Sequence, residues 1–318
     1  MKEIYLCSNA ANIQEVYGTD APVFTKEQLA QNPAAFQETE FVFSTWGMPC
    51  LTEEEIHAWL PGLKAVFYGA GTVQAFARPF LNCGVRVFSA WAANAVPVAE
   101  YTVAQIILAN KGFFRTMGYT DRTAATKTLS YFPGNYGQKI GIIGAGMIGK
   151  LVIHQLKQYD LDVLVFDPFL PDEKAKELGV EKTNLETLFS QCRVVSNHLA
   201  NNAQTKGMLH GALFERMLPW ATFLNTGRGA QVVEADLIRV LQERPDLTAI
   251  LDVTSPEPPL PDSPLYTLPN CILTPHIAGS TGCEVRRMGV YMQEEFARFQ
   301  KGEPCPYEVT VQMLETMA

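Results

Sequence analysis

The chain has 318 residues, 47% of them hydrophobic, which is enough to bury a core in each of two domains. Its formal charge of −8 leaves no basic face for nucleic acid and no lysine-rich cluster for an anionic membrane, so small-molecule chemistry is expected. Seven cysteines (Cys7, Cys50, Cys83, Cys192, Cys271, Cys283, Cys305) are scattered, odd in number and free of C-x-x-C spacing, so they read as buried free thiols in a reducing cytoplasm, with no metal.

The opening MKEIYLCSNA reads as a strand rather than a targeting segment. No apolar run approaches the length of a membrane span, so a soluble cytoplasmic protein is expected. Strand-like runs at Ile4–Cys7, Phe41–Thr45, Ala65–Tyr68 and Val85–Phe88 alternate with helical patterns near Lys26–Gln37, Glu53–Trp59 and Gln74–Asn82. That alternation predicts a small open α/β domain of flavodoxin-like type. From Pro97 a long apolar helix follows, and then a polar, aromatic stretch to Gln138 reads as the inter-domain crossover.

Six further runs come in regular succession: Ile140–Ile143, Val163–Phe166, Val194–Asn197, Thr222–Asn225, Ala249–Asp252 and Ile272–Thr274. Six strands with helices between them predict a doubly wound parallel sheet of the Rossmann type. The last segment, EVRRMGVYMQEEFARFQKG, is amphipathic and reads as returning to the first domain. The expected organisation is a discontinuous substrate domain over 1–98 and 287–318 around a dinucleotide-binding domain over 99–286.

The run GIIGAGMIGK places Gly144, Gly146 and Gly149 in G-x-G-x-x-G spacing between a strand and a helix opened by Met147 and Ile148. Such glycines permit a tight turn, backbone approach to a pyrophosphate and close helix packing, with the phosphates at a helix N-terminus. The next strand ends in Asp167, where a carboxylate can accept from ribose hydroxyls and would repel a 2′-phosphate. NAD is therefore expected over NADP.

Ligands of an open doubly wound sheet bind beyond the carboxyl ends of its strands. Arg228 in FLNTGRGA, Glu257 in LDVTSPEP and His276 in ILTPHIAGST follow three successive strands there. A guanidinium can bind a carboxylate or polarise a carbonyl, and an imidazole exchanges protons near neutral pH. A carboxylate against the histidine would favour its charged form and keep a proton available. Taken singly, each has a plain structural alternative: a helix cap, a solvated loop residue and a buried histidine. His198, after VVSN, reads as lining the cofactor cleft, whereas His57, His154 and His210 read as structural.

The ordered motifs GIIGAGMIG, VFDP, NTGRGA, LDVTSPEPPL and TPHIAGST resemble the D-isomer-specific 2-hydroxyacid dehydrogenases over most of the chain from Ala65 onward. The resemblance implies hydride transfer between NAD and a small D-2-hydroxy or 2-keto acid, with His276 as acid/base, Glu257 as its partner and Arg228 on the substrate. It also implies that Thr226 and Asp252 hold the nicotinamide end, with Thr205 and Gly279 in the cofactor set. Backbone amides of Ala70 and Gly71 would cradle the substrate carboxylate, and a homodimer would form through the NAD domain.

Departures from the family pattern are Val73 after the glycine loop, Trp91 in SAWAANAVPVAEY, and HLANNAQT for the usual H-L-P-L-T. They bear on the substrate and leave the chemistry in place. Trp46 and Met48, in FSTWGMP, either shape the pocket or are ordinary packing. Other readings of the scaffold are a corepressor-like NAD(H) sensor and a formate dehydrogenase, and Glu257 argues against the latter.

Overall fold

A computed structural model describes residues 1–315, so the last three positions of the expected 287–318 segment lie outside the described residues. The chain divides into two compact units, residues 1–95 with 280–318, and residues 96–279. The divisions fall at 95/96 and 279/280, not at 98/99 and 286/287 as expected. The first lies within the continuous helix Trp91–Asn110, so no break in secondary structure marks it.

The first unit holds β1 (Glu3–Leu6), β2 (Val23–Phe24), β3 (Phe41–Ser44), β4 (Ala65–Tyr68) and β5 (Arg86–Ser89). They are parallel in the order β2-β1-β3-β4-β5, the flavodoxin order, and the short strand Glu308–Val309 adds an antiparallel edge beside β5. Side chains alternate between two cores, one on each face. Ile4, Leu6, Val42, Val66 and Val87 enter one core, and Phe41, Phe43, Ala65, Phe67 and Phe88 the other. Burial on both faces explains why these strands read as continuous apolar runs.

The helix pattern at Lys26–Gln37 resolves into Lys26–Gln31 and a 3₁₀ turn at Pro33–Phe36, since Pro33 cannot continue the helix's hydrogen bonding. Thr52 and Glu55 close a capping box that starts the helix Glu53–Trp59 where expected. The helix Ala10–Tyr17, which the sequence reading passed over, packs on the returning helix Val285–Lys301. Gly289 permits this contact, because a Cβ there would lie 2.0 Å from the carbonyl oxygen of Val16.

The second unit holds β6 (Gln138–Ile143), β7 (Leu161–Phe166), β8 (Glu181–Lys182), β9 (Val194–Asn197), β10 (Thr222–Asn225), β11 (Thr248–Leu251) and β12 (Cys271–Leu273). The sheet is parallel, in the order β12-β11-β10-β9-β6-β7-β8, the doubly wound pattern with its switch between β6 and β9. It has seven strands rather than the six expected. The extra strand, β8, is two exposed charged residues at the edge and carries no apolar signal. The crossover region contains the short helices Phe113–Thr116 and Arg122–Leu129.

Two further expectations need correction. The helix Trp91–Asn110, 20 residues with mean hydropathy 1.2, is long and apolar enough by length and composition to cross a membrane. Glu100 and Pro97 interrupt its pattern, and Ala99, Val103, Ile106 and Ala109 pack into a core with β6 and β9. The cysteines are all free, but only Cys7 and Cys192 are buried; Cys50 and Cys283 are exposed.

Candidate active site

The glycine loop leaves β6 at Gly144, whose φ of +90° favours glycine, and a Cβ there would meet the carbonyl oxygen of His198 at 2.8 Å. A Cβ on Gly149 would lie 2.0 Å from the Gly144 carbonyl oxygen, so helix and loop approach too closely for any side chain. At Gly146 a Cβ would meet nothing within 4 Å. Gly146 is the N-cap of the helix Met147–Leu156, and no side chain caps that end. Open space against an uncapped helix N-terminus suits a pyrophosphate.

Asp167 follows β7, and its two oxygens accept from Ala145 N (2.7 Å) and Phe169 N (2.8 Å). The carboxylate thus ties the glycine loop to the neighbouring strand end, and each oxygen keeps acceptor capacity for a ribose hydroxyl. Exposed Pro168 and Phe169 follow it and supply no cation for a 2′-phosphate. The residues present fit NAD.

Beyond β10, β11 and β12 the same sheet edge carries the three polar candidates. His276 Nδ1 lies 2.6 Å from Glu257 Oε1, and both side chains are half-exposed. With Nδ1 on the carboxylate, Nε2 is the atom left to exchange a proton with a ligand. Arg228 is largely buried, and this burial lowers its pKa while Glu257 opposes the shift. Among the described residues it has no carboxylate within ion-pair distance, and its guanidinium donates to the carbonyl of Gly227 (2.7 Å). A desolvated cation without a counter-ion is poised for an anionic or carbonyl oxygen.

His276 has a φ of +56°, a left-handed conformation uncommon for a residue with a side chain. Asp252, buried at the end of β11, holds that conformation. Its Oδ1 accepts from Thr274 Oγ1 (2.6 Å) and Ile277 N (2.9 Å), its Oδ2 from Ala278 N (2.9 Å), and its carbonyl from His276 N (3.0 Å). Asp252, expected in the cofactor set, is seen to position the histidine. Ala278 leads directly to Gly279, the last residue of this unit.

His198 is buried, and desolvation drives its pKa down to about 3, so it is neutral. Its ring nitrogens are shared with Ser196 Oγ (2.9 Å) and Thr226 Oγ1 (3.4 Å). Thr226 also reaches Thr102 Oγ1 (3.4 Å). Thr205 donates to the carbonyl of Ala200 (2.7 Å) and shapes its own loop.

Sequence reasoning missed an amide network beneath Arg228. Gln231 Oε1 accepts from Arg228 N (3.1 Å) and Asn197 Nδ2 (2.6 Å), its Nε2 donates to Leu199 O (2.7 Å), and Asn225 Nδ2 donates to Arg228 O (3.3 Å). The signal was present as polar residues ending the apolar runs VVSN and FLN.

Ala70, Gly71 and Trp46 belong to the first unit and sit at the carboxyl edge of its own sheet. Ser89 Oγ donates to the carbonyls of Ala70 (2.9 Å) and Gly71 (2.6 Å), whereas the N–H groups of these two residues have no acceptor among the described residues. Met48 packs against the first unit's core, while Trp46 is 40% exposed. Trp91 is half-buried against Tyr307.

Residues 104–278 match the family model described as D-isomer specific 2-hydroxyacid dehydrogenase, NAD binding domain. The chain belongs to that family. It is 31% identical to a D-3-phosphoglycerate dehydrogenase of Archaeoglobus fulgidus over 73% of this chain and 44% of that one. A glyoxylate reductase of Korarchaeum cryptofilum is 34% identical over 57% of this chain and 54% of that one. The chain spans about half the length of the phosphoglycerate dehydrogenases it matches. In fold it is similar to an NAD-complexed D-isomer specific 2-hydroxyacid dehydrogenase of Lactobacillus delbrueckii, with TM-score 0.78 and 20% identity over 98% of this chain and all of that one.

Proposed function

We propose that this chain is an NAD-dependent dehydrogenase that interconverts a small D-2-hydroxy acid and the corresponding 2-keto acid. The observation that carries this reading is the His276–Glu257 pair at 2.6 Å on the sheet edge that also bears the unpaired Arg228 and the glycine loop. When bound, the nicotinamide supplies or accepts the hydride.

Gly144, Gly146, Gly149 and Asp167 hold the dinucleotide. Arg228 draws electron density from the keto oxygen, and His276 Nε2 gives that oxygen its proton as it becomes a hydroxyl. Glu257 fixes the ring through Nδ1, which leaves Nε2 for the proton transfer. In the oxidative direction the same imidazole removes the hydroxyl proton.

We further propose a cytoplasmic homodimer associating through the NAD domain, without membrane or nucleic-acid partners. Seven free thiols and the charge of −8 support the setting. Exposed Phe113, Met117, Tyr119, Leu129 and Tyr131, all in the second unit, support the association.

NADH oxidation with a panel of 2-keto acids tests the activity. His276→Ala is expected to lower kcat by about 10²- to 10⁴-fold with NADH affinity retained. Tight NADH binding with no turnover on any acid would refute the enzyme and leave a sensor.

A further inference from the structure

We infer that Tyr101 is a positioning residue for His276: its hydroxyl, acting through Thr274 and Asp252, anchors the loop that carries the histidine to the helix Trp91–Asn110. This rests on the dehydrogenase reading, in which His276 is the proton donor that must be held in place. Tyr101, Asp252, Thr274 and His276 all lie in the second unit.

The hydrogen bonds run in one direction. Thr274 Oγ1 lies 2.6 Å from Asp252 Oδ1 and 3.0 Å from the Tyr101 hydroxyl. A carboxylate only accepts, so the single Thr274 hydroxyl hydrogen goes to Asp252, and Tyr101 must donate to the Thr274 oxygen. Burial and the neighbouring Asp252 charge raise the Tyr101 pKa, which keeps that hydrogen in place. The Asp252 carboxylate also accepts from the N–H groups of Ile277 and Ala278, both at 2.9 Å, and so folds residues 276–278 over the end of β11. His276 N is shared between the carbonyls of Asp252 and Thr274, each at 3.0 Å. A φ of +56° persists at a histidine only where its surroundings over-determine it.

Tyr101 supplies a fixed point for this arrangement. Ala99, Val103 and Ile106 of its helix pack in one core with Ile140 and Val194, and Ile272 of β12 packs against the same cluster. The half-buried Tyr101 side chain spans from that helix to the strand end, joining residues 173 positions apart. Hydrogen bonds in series polarise one another, so losing the outer bond weakens the inner one on Asp252. The glycine loop and Asp167 take no part in the series, so the effect falls on His276 and leaves dinucleotide affinity in place.

Tyr101→Phe removes the hydroxyl and keeps the ring. With NADH and a 2-keto acid that the wild type turns over, kcat is expected to fall about 3- to 10-fold while the Kd for NADH stays within about twofold. Thr274→Val, close in shape but without the hydroxyl, should fall at least as far, whereas Thr274→Ser should retain kcat within about twofold of wild type. Combining Tyr101→Phe with Thr274→Val should cost no more than Thr274→Val alone, because both break one series. Hydrogen exchange, which needs no turnover, should show the Ile277 and Ala278 amides exchanging about threefold faster or more in Tyr101→Phe.

A Tyr101→Phe protein with wild-type kcat and wild-type exchange would overturn the inference. So would Thr274→Ser as impaired as Thr274→Val, since side-chain shape and not the hydroxyl would then be the cause. Absence of wild-type turnover on every 2-keto acid would instead sink the dehydrogenase reading, and exchange alone would still decide whether Tyr101 holds the His276 loop.

Discussion

Replacing Gln231 with leucine removes the centre of the network under Arg228 while leaving side-chain volume nearly constant. Three groups lose a partner: Arg228 N, one Asn197 amide hydrogen and the carbonyl of Leu199. Gln231 and Asn197 are fully buried, so water cannot substitute freely. Each buried group left unsatisfied costs about 1–3 kcal/mol, and partial relaxation brings the expected loss of stability to about 3 kcal/mol. Arg228 then loses the hydrogen bond that fixes its backbone N–H, so its guanidinium is less well placed.

The expected kinetic consequence is a fall in kcat/KM of about 10- to 100-fold, the range typical of a misplaced substrate-positioning group. Urea unfolding gives the first quantity and steady-state kinetics the second. A double-mutant cycle with Arg228→Lys separates positioning from general weakening, because positioning makes the two losses non-additive. A Gln231→Leu protein with stability within about 0.5 kcal/mol of wild type and unchanged kcat/KM would refute the argument.

Asp252→Asn places an amide N–H₂ among the donors that now point at the carboxylate, so the loop bearing His276 should loosen; kcat is expected to fall more than about tenfold, with about 2 kcal/mol lost in unfolding. Unaltered kcat would show that the left-handed histidine does not depend on Asp252. Burial holds the His198 pKa down at about 3 in the folded chain, against the usual histidine value of about 6.5 when unfolded, so the unfolded chain binds the extra proton between those values. Stability should therefore be complete above pH 6.5 and fall with acid by about 3 kcal/mol from there to pH 4, and urea titrations of His198→Gln should show that much less acid loss. Met117→Glu together with Leu129→Glu puts charge among the exposed apolar residues of the second unit, and sedimentation should report a shift from dimer to monomer. An unshifted dimer would place the interface elsewhere.

The residues proposed for the site stood out in the sequence because each lies in a short motif whose meaning is local. The glycine spacing follows directly from the strand-to-helix turn it must make, and Asp167, Arg228, Glu257 and His276 each stand just past an apolar run. Two parallel sheets were legible for the same reason, since strands buried on both faces read as continuous apolar stretches. What escaped the sequence has little or no burial signature of its own. Strand β8 is a pair of exposed charged residues that pairs only because β7 lies beside it, and Glu308–Val309 becomes a strand by pairing antiparallel with β5.

The support beneath the site also needed tertiary structure. Asn197 lies 28 residues from Asn225 and 34 from Gln231, and only the pairing of β9 with β10 brings their amides into contact. Asp252 reads as one more strand-end acid until the fold turns residues 274–278 back over it. The sequence by itself therefore determined the two parallel sheets and the candidate groups, through local spacing; tertiary structure decided how those groups are held, because hydrogen bonds between distant segments leave no period in the chain.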